Sequence, residues 1–167
     1  MLSPTQDLYC TCTEFLKQSS QQRLLVLKQI GLARYADFLT QMPLTETNVA
    51  CVMRFFTNPS RVKFPNLKGA ELSSLILDGV NFIRGNLSGT NLRRSSLVNA
   101  DLIFADFTGA DLRNADLQGA TLNETIWSNA MVYQCNFGSG IGLTNEQRRD
   151  LKVRGAMFNY LEPGQES

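Results

Sequence analysis

The chain contains no histidine. That removes Ser–His and Cys–His nucleophile pairs, imidazole metal ligands and the usual general base near neutral pH. No apolar run approaches the length of a membrane-spanning helix, and Met1-Leu2-Ser3-Pro4-Thr5-Gln6-Asp7 has neither the basic nor the apolar region of a signal peptide. The expectation is a cytoplasmic protein without membrane insertion. Excess charge is missing too: 16 Lys and Arg against 15 Asp and Glu leave +1 over 167 residues. No bulk charge draws the chain to nucleic acid or makes it a polyanion. Cysteine is scarce and scattered. Cys10, Cys12, Cys51 and Cys135 lack the paired CxxC spacing of a zinc knuckle, so they are read as free structural thiols, and no metal or cofactor is expected.

What is present is a five-residue beat. Stepping by five from Leu67 meets Leu72, Leu77, Phe82, Leu87, Leu92, Leu97, Leu102, Phe107, Leu112, Leu117 and Leu122, and the beat continues more loosely through Trp127, Val132 and Phe137. Two places before each centre the residue is mostly small, as at Ala70, Gly85, Ser95, Ala100, Ala105 and Ala110; Leu75 and Val80 are bulkier. Just before the centre it is mostly polar, as at Asn81, Asn91, Asp101, Asp106, Asp111 and Asp116. On an α-helix a step of five turns about 500°, which smears the leucines around the cylinder. On a flat strand an odd step flips the side chain to the opposite face each time. A coil of short extended pieces separated by corners satisfies the pattern, with the centre and the small residue both inward. Stacked coils bury what a single coil cannot.

The run from Ala100-Asp101-Leu102-Ile103-Phe104 to Ala115-Asp116-Leu117-Gln118-Gly119 resembles the A(D/N)LXX motif of the pentapeptide-repeat family, over about residues 62–141. The resemblance implies a β solenoid: a right-handed quadrilateral β-helix with four repeats, hence 20 residues, per turn. In that register the centres form four inner columns in a prism of about four coils, about 20 Å tall at the usual strand spacing. Its ends need caps. The expected organisation is an α-helical N-terminal domain over 1–61, the β-helix over 62–142, and a C-terminal capping helix and tail over 143–167.

Both flanks carry helix signals. Thr144 with Gln147 makes a capping box, Leu143 can staple onto the helix, and Gly155 is placed to end it. Ala156-Met157-Phe158 then repeats the small-x-large spacing of a returning edge strand. The phrase Leu143 to Leu151 resembles a C-terminal cap of cyanobacterial pentapeptide-repeat proteins, and a lid over the stack fits it better than a partner-binding helix. Before Ser60 helical spacing takes over. Leu8, Cys12, Phe15 and Leu16 share one face, as do Tyr35, Phe38, Leu39 and Met42, and Val49, Val52, Met53 and Phe56 form a further stripe. Ser19 with Gln22 opens another helix.

Catalysis has no constellation to rest on. Asp101, Asp106, Asp111 and Asp116 fall on successive sides of the coil and point apart, and no phosphate-binding loop is present. Mimicry of DNA toward a type II topoisomerase such as gyrase is the alternative that the resemblance offers. It calls for dense carboxylates, but residues 65–142 carry five basic and seven acidic side chains, a net of only −2. Direct nucleic-acid binding lacks a basic stripe with interleaved aromatics. The favoured reading is a non-catalytic protein–protein interaction module, an adaptor or an assembly or regulatory factor. Ile83 and Ile103 fall on equivalent outward positions beside Arg84 and Phe104, and Arg93, Arg94 and Arg113 are placed around the next corners as a rim. Either another protein, the helical segment or a second copy of the chain in a homodimer covers this surface.

Overall fold

The computed structural model describes residues 1–159. From residue 66 onward the chain winds as a square coil. Parallel single-residue bridges join positions 20 apart, from Asn66↔Asn86 and Glu71↔Asn91 through to Asp116↔Asn136. Each wall is one repeat wide, so its extended piece is too short for a conventional strand. The first wall stacks Leu67, Leu87, Phe107 and Trp127, and the second Leu72, Leu92, Leu112 and Val132. The third stacks Leu77, Leu97, Leu117 and Phe137, and the fourth Phe82, Leu102 and Leu122. All are buried, as the beat requires. Phe107 and Trp127 lie face to face, 4.5 Å between ring centroids and 3° from parallel.

The small residues beside the centres are buried as well, and where they are polar they are satisfied. Thr90, Ser95 and Thr125 each donate a hydroxyl hydrogen bond to the carbonyl three residues earlier, at 2.7, 2.6 and 2.7 Å. The polar residue before each centre shapes the corner. The Oδ1 atoms of Asn81, Asn86, Asp106 and Asp116 accept the amide N–H two residues on, at 3.0, 3.1, 2.9 and 3.0 Å. The ring of aspartates is therefore a set of turn-forming acceptors.

Among the described residues five α-helices flank the prism: α1 (Pro4–Lys17), α2 (Ser20–Gln29), α3 (Ala36–Leu39), α4 (Glu46–Phe56) and α5 (Asn145–Val153). Capping boxes at Ser19/Gln22 and Thr144/Gln147 start α2 and α5. Helix α4 is two-sided, which displaces its buried face from the stripe expected at Val49, Val52, Met53 and Phe56. Its buried residues are Asn48, Val49, Cys51, Val52 and Phe55, while Phe56 turns back to meet Phe15 of α1 at 4.9 Å. Tyr35, Phe38 and Phe55 form an aromatic cluster, and Phe38 sits 5.3 Å from Phe82 at the open end of the fourth wall. Helices and solenoid share one continuous core.

The first coil has no predecessor, so its outward peptide groups need partners. Side chains from the helices supply them. The Asn48 amide accepts from Glu71 N–H at 2.8 Å and donates to Glu71 C=O at 3.0 Å, reproducing both bonds that a preceding peptide would make. Gln41 does the same for Ile76, accepting at 3.3 Å and donating at 2.8 Å. On the first wall the Arg54 guanidinium donates to Asn66 C=O at 3.3 Å and Lys68 C=O at 2.7 Å, and Arg34 donates to Val62 C=O. At the far end Gln147, Arg154 and Arg148 donate to the carbonyls of Thr125, Ala130 and Gly140 at 3.0, 3.0 and 2.7 Å. Met157 N–H covers Cys135 C=O at 2.8 Å, and Phe158 stacks on Phe137 at 5.2 Å, so 155–159 return as an edge on the third wall. The rest of the expected C-terminal segment, 160–167, lies outside the described residues.

Asn48 is wholly buried and also donates to Pro43 C=O at 2.9 Å, whereas Gln41 is exposed. Asn48→Ala is expected to cost about 2–4 kcal/mol by stranding buried peptide groups, and Gln41→Ala about 1 kcal/mol or less because water can replace its amide. Urea denaturation of the two variants checks this; equal losses would refute the buried-cap account.

Candidate interaction surface

The positions expected to bind a partner separate into two groups. Ile83, Arg84, Ile103 and Phe104 come together on the fourth wall and at its closing corner. Ile83 and Ile103 are half-buried, and Phe104 is 45% exposed. Arg93, Arg94 and Arg113 follow Leu92 and Leu112 on the second wall, which the four-sided register puts on the opposite side of the prism. They form no rim around the isoleucines. Two repeats of sequence separation cross the coil instead of turning one corner.

The second-wall arginines are also engaged. Arg113 grips Asp111 through Nε and Nη2 at 2.9 and 2.6 Å, and Arg93 lies 3.9 Å from the same carboxylate. The Arg113 hydrogen bond holds the Asp111 carboxyl below the usual carboxylate range. A depressed pKa favours folding above the unfolded-state value and loses that contribution as pH falls through the folded one. This group reads as a local clamp.

On the fourth wall the helical segment meets the first coil through Phe38 on Phe82, and Phe104 one coil farther along remains exposed. Arg84 lies between two rings, 5.7 Å from Phe64 and 4.5 Å from Phe104. Phe64, Arg84 and Phe104 are 20 residues apart and continue one column along the corner. Phe64, 49% exposed, was not among the expected positions, since it precedes the first clear centre. The 20-residue offset from Arg84 was the signal that could have found it.

The backbone at Phe104 adds a second observation. The second residue after each centre from Leu67 to Val132 adopts a left-handed backbone, which glycine tolerates best. Gly69, Gly89 and Gly109 occupy it on the first wall, and Gly79, Asn99 and Gly119 on the third. The second-wall corner holds Ser74, Arg94, Asn114 and Gln134, and the fourth-wall corner Arg84 at φ 55°, Phe104 at φ 59° and Glu124 at φ 57°; among the described left-handed positions Phe104 alone is aromatic. A bulky aromatic in this region costs about 1–2 kcal/mol relative to an ordinary conformation. Phe104 therefore sits, half exposed, where glycine or asparagine would serve the fold better.

The cysteine thiols are mostly buried. Cys12, Cys51 and Cys135 are buried; burial pushes the first two thiols up to about 12 and about 11, and Cys135 upward as well. Cys10 is exposed. Among the described residues no His/Cys/Asp/Glu group could hold a metal ion, and no helix is long and apolar enough to cross a membrane.

Phe104→Asn is expected to leave stability within about 0.5 kcal/mol of wild type despite losing a phenyl ring, since asparagine tolerates the left-handed region. Phe107→Ala, in the inner column, is expected to cost about 3–5 kcal/mol. Thermal and urea unfolding compare them, and a loss of more than about 2 kcal/mol for Phe104→Asn would show that the ring serves the fold. In an NMR-detected titration, Arg113→Ala is expected to raise the Asp111 midpoint toward the ordinary carboxylate range. An unmoved midpoint would refute the clamp.

Comparison with known proteins agrees with the geometry of the coil. Residues 65–102, 76–114 and 110–138 match the family model for pentapeptide repeats, described as 8 copies. No curated protein matches the chain. Among solved structures it is similar to a pentapeptide repeat protein from the Arabidopsis thaliana thylakoid lumen, at 24% identity over 55% of this chain and 78% of that one, with a TM-score of 0.46. It is similar to one from Nostoc Pcc 7120 at 26% identity over 66% and 95% of the two chains, with a TM-score of 0.30. A third, from the cyanobacterium Cyanothece 51142, is 36% identical over 39% of this chain and 51% of its own, with a TM-score of 0.24.

Proposed function

We propose, from the premise that residues 65–138 of this chain belong to the pentapeptide-repeat family, that the protein is a non-catalytic interaction module. It acts as an adaptor or an assembly or regulatory factor, and its docking face is the corner formed by Ile83, Arg84, Ile103 and Phe104. The observation that carries this reading is Phe104, half exposed and held at φ 59° in a slot that favours glycine. An aromatic retained against local backbone preference, with arginine stacked beside it, has the composition of an interface anchor. The platform is rigid because each coil is hydrogen-bonded to the next and the helices close both ends. We read it as about four coils, with residues 1–61, 62–142 and 143–167 as the helical, solenoid and capping units.

Mimicry of DNA toward gyrase has less support. The carboxylates before the centres are occupied as corner acceptors, and Asp111 is paired with arginine. A mimic presents free, regularly spaced negative charge.

Affinity capture from the source organism tests the docking reading. Ile103→Asp combined with Phe104→Ser is expected to lose the partners that wild type recovers, while Arg93→Glu combined with Arg94→Glu retains them. Identical recovery by wild type and the Ile103/Phe104 variant would place the contact elsewhere.

A further inference from the structure

The cationic complement of the docking face comes from a part of the chain remote in sequence from the second-wall arginines. Between Glu46 and Glu71 the chain has Arg54, Arg61, Lys63 and Lys68 and no carboxylate at all. This stretch runs from the end of α4 across the mouth of the first coil to Phe64. Two neighbouring hollows meet there and share Lys63 and Phe64. One, of about 440 Å³, is lined by Arg54, Arg61 and Lys63 among others, with no acidic residue in its wall. The other, of about 230 Å³, lies between Arg34, Tyr35, Phe64, Pro65 and Ile83, and so opens onto the docking face.

No carboxylate among the described residues neutralises these cations. The ion pairs among the described residues are Lys17–Glu14, Arg93–Asp111, Arg113–Asp111 and Arg154–Asp150. None involves Arg34, Arg61, Lys63 or Arg84. Negative charge on the fourth wall lies farther along the prism. Asp101 accepts the Thr121 hydroxyl at 3.0 Å, and Glu124 follows Phe104 in the corner column. The face is thus cationic where the helices meet the first coil and acidic toward the later coils.

We infer that the face binds an extended acidic segment of a partner protein, with its carboxylates on Arg61, Lys63, Arg34 and Arg84 and one apolar side chain in the hollow beside Ile83. This rests on the docking reading above and specifies the partner's chemistry. A hollow of about 230 Å³ suits a single anchoring side chain rather than a drug-sized ligand. Arg61 and Lys63, whose side chains have no partner among the described residues, gain most from an incoming anion, and the like-signed group steers its approach. A nucleic-acid strand fits less well, because its phosphates would continue along the wall into Asp101 and Glu124.

Selection of a random-sequence displayed peptide library against the full chain tests the inference, with labelled oligothymidylate as a second probe. Enriched peptides are expected to be rich in Asp and Glu around one apolar residue. Their binding is expected to weaken as salt rises and to fall about tenfold or more in Arg61→Glu combined with Lys63→Glu. Neither Arg61 nor Lys63 makes a side-chain hydrogen bond among the described residues, so the variant should fold, as circular dichroism can check. Peptides of neutral or basic composition, failure to enrich any peptide, or tighter binding of the oligonucleotide would each overturn the proposal. Peptides that lose binding in the Ile103→Asp, Phe104→Ser variant but keep it in the charge-reversed one would also overturn it, and would leave the docking face itself standing.

Discussion

The structure depends on the peptide groups that each coil offers along the prism axis. Within the stack they are paired by register: the N–H of a centre residue meets the carbonyl of the residue before the centre one coil on, as in Leu92 N–H to Asp111 C=O at 2.8 Å. At an end there is no next coil, and an unpaired buried peptide group costs about 1–3 kcal/mol. A solenoid this short has proportionately many such groups. Its termini therefore decide whether it is a stable object, and much of the chain outside the repeats serves them.

The two ends meet this demand differently. At the first coil, Asn48 and Gln41 each use a side-chain amide as a replica of the missing peptide, donor and acceptor together. At the last, Gln147, Arg154 and Arg148 supply donors, and the returning chain at Met157 supplies a backbone partner. The aromatic cluster of Tyr35, Phe38 and Phe55 seals the inner column against water. A platform closed in this way can tolerate local strain, and it holds Arg84, Phe104 and Glu124 in left-handed corners on one edge. The core and caps thus supply stability, and the strained positions lie at the surface.

Charge is distributed in keeping with that division. On the second wall Asp111 neutralises Arg113 and approaches Arg93, so those cations are internal to the surface. Around the junction of helices and first coil, Arg61 and Lys63 face solvent beside exposed Phe64. The apolar corner and the cationic junction are adjacent because Phe64 stands one coil before Arg84, and Arg84 one coil before Phe104. A net charge of +1 conceals this asymmetry.

The amino-acid order by itself determined the inward centres, the corners and both capping boxes, because each is a relation among residues within five positions of one another. Leu87, Leu92 and Leu97 take their walls from their own repeats whatever the remainder of the chain does. It also placed Ile83 near Ile103, which needs only the 20-residue turn. Tertiary structure alone decided that Asn48 reads Glu71 and Gln41 reads Ile76, pairings across 23 and 35 residues that exist only once the helices dock. It likewise brought Lys63 to the hollow beside Ile83, whereas the place of Arg93 and Arg94 behind the isoleucines already follows from the four-sided register. Local periodicity sets which way a side chain points, but which charges become neighbours depends on how distant segments pack.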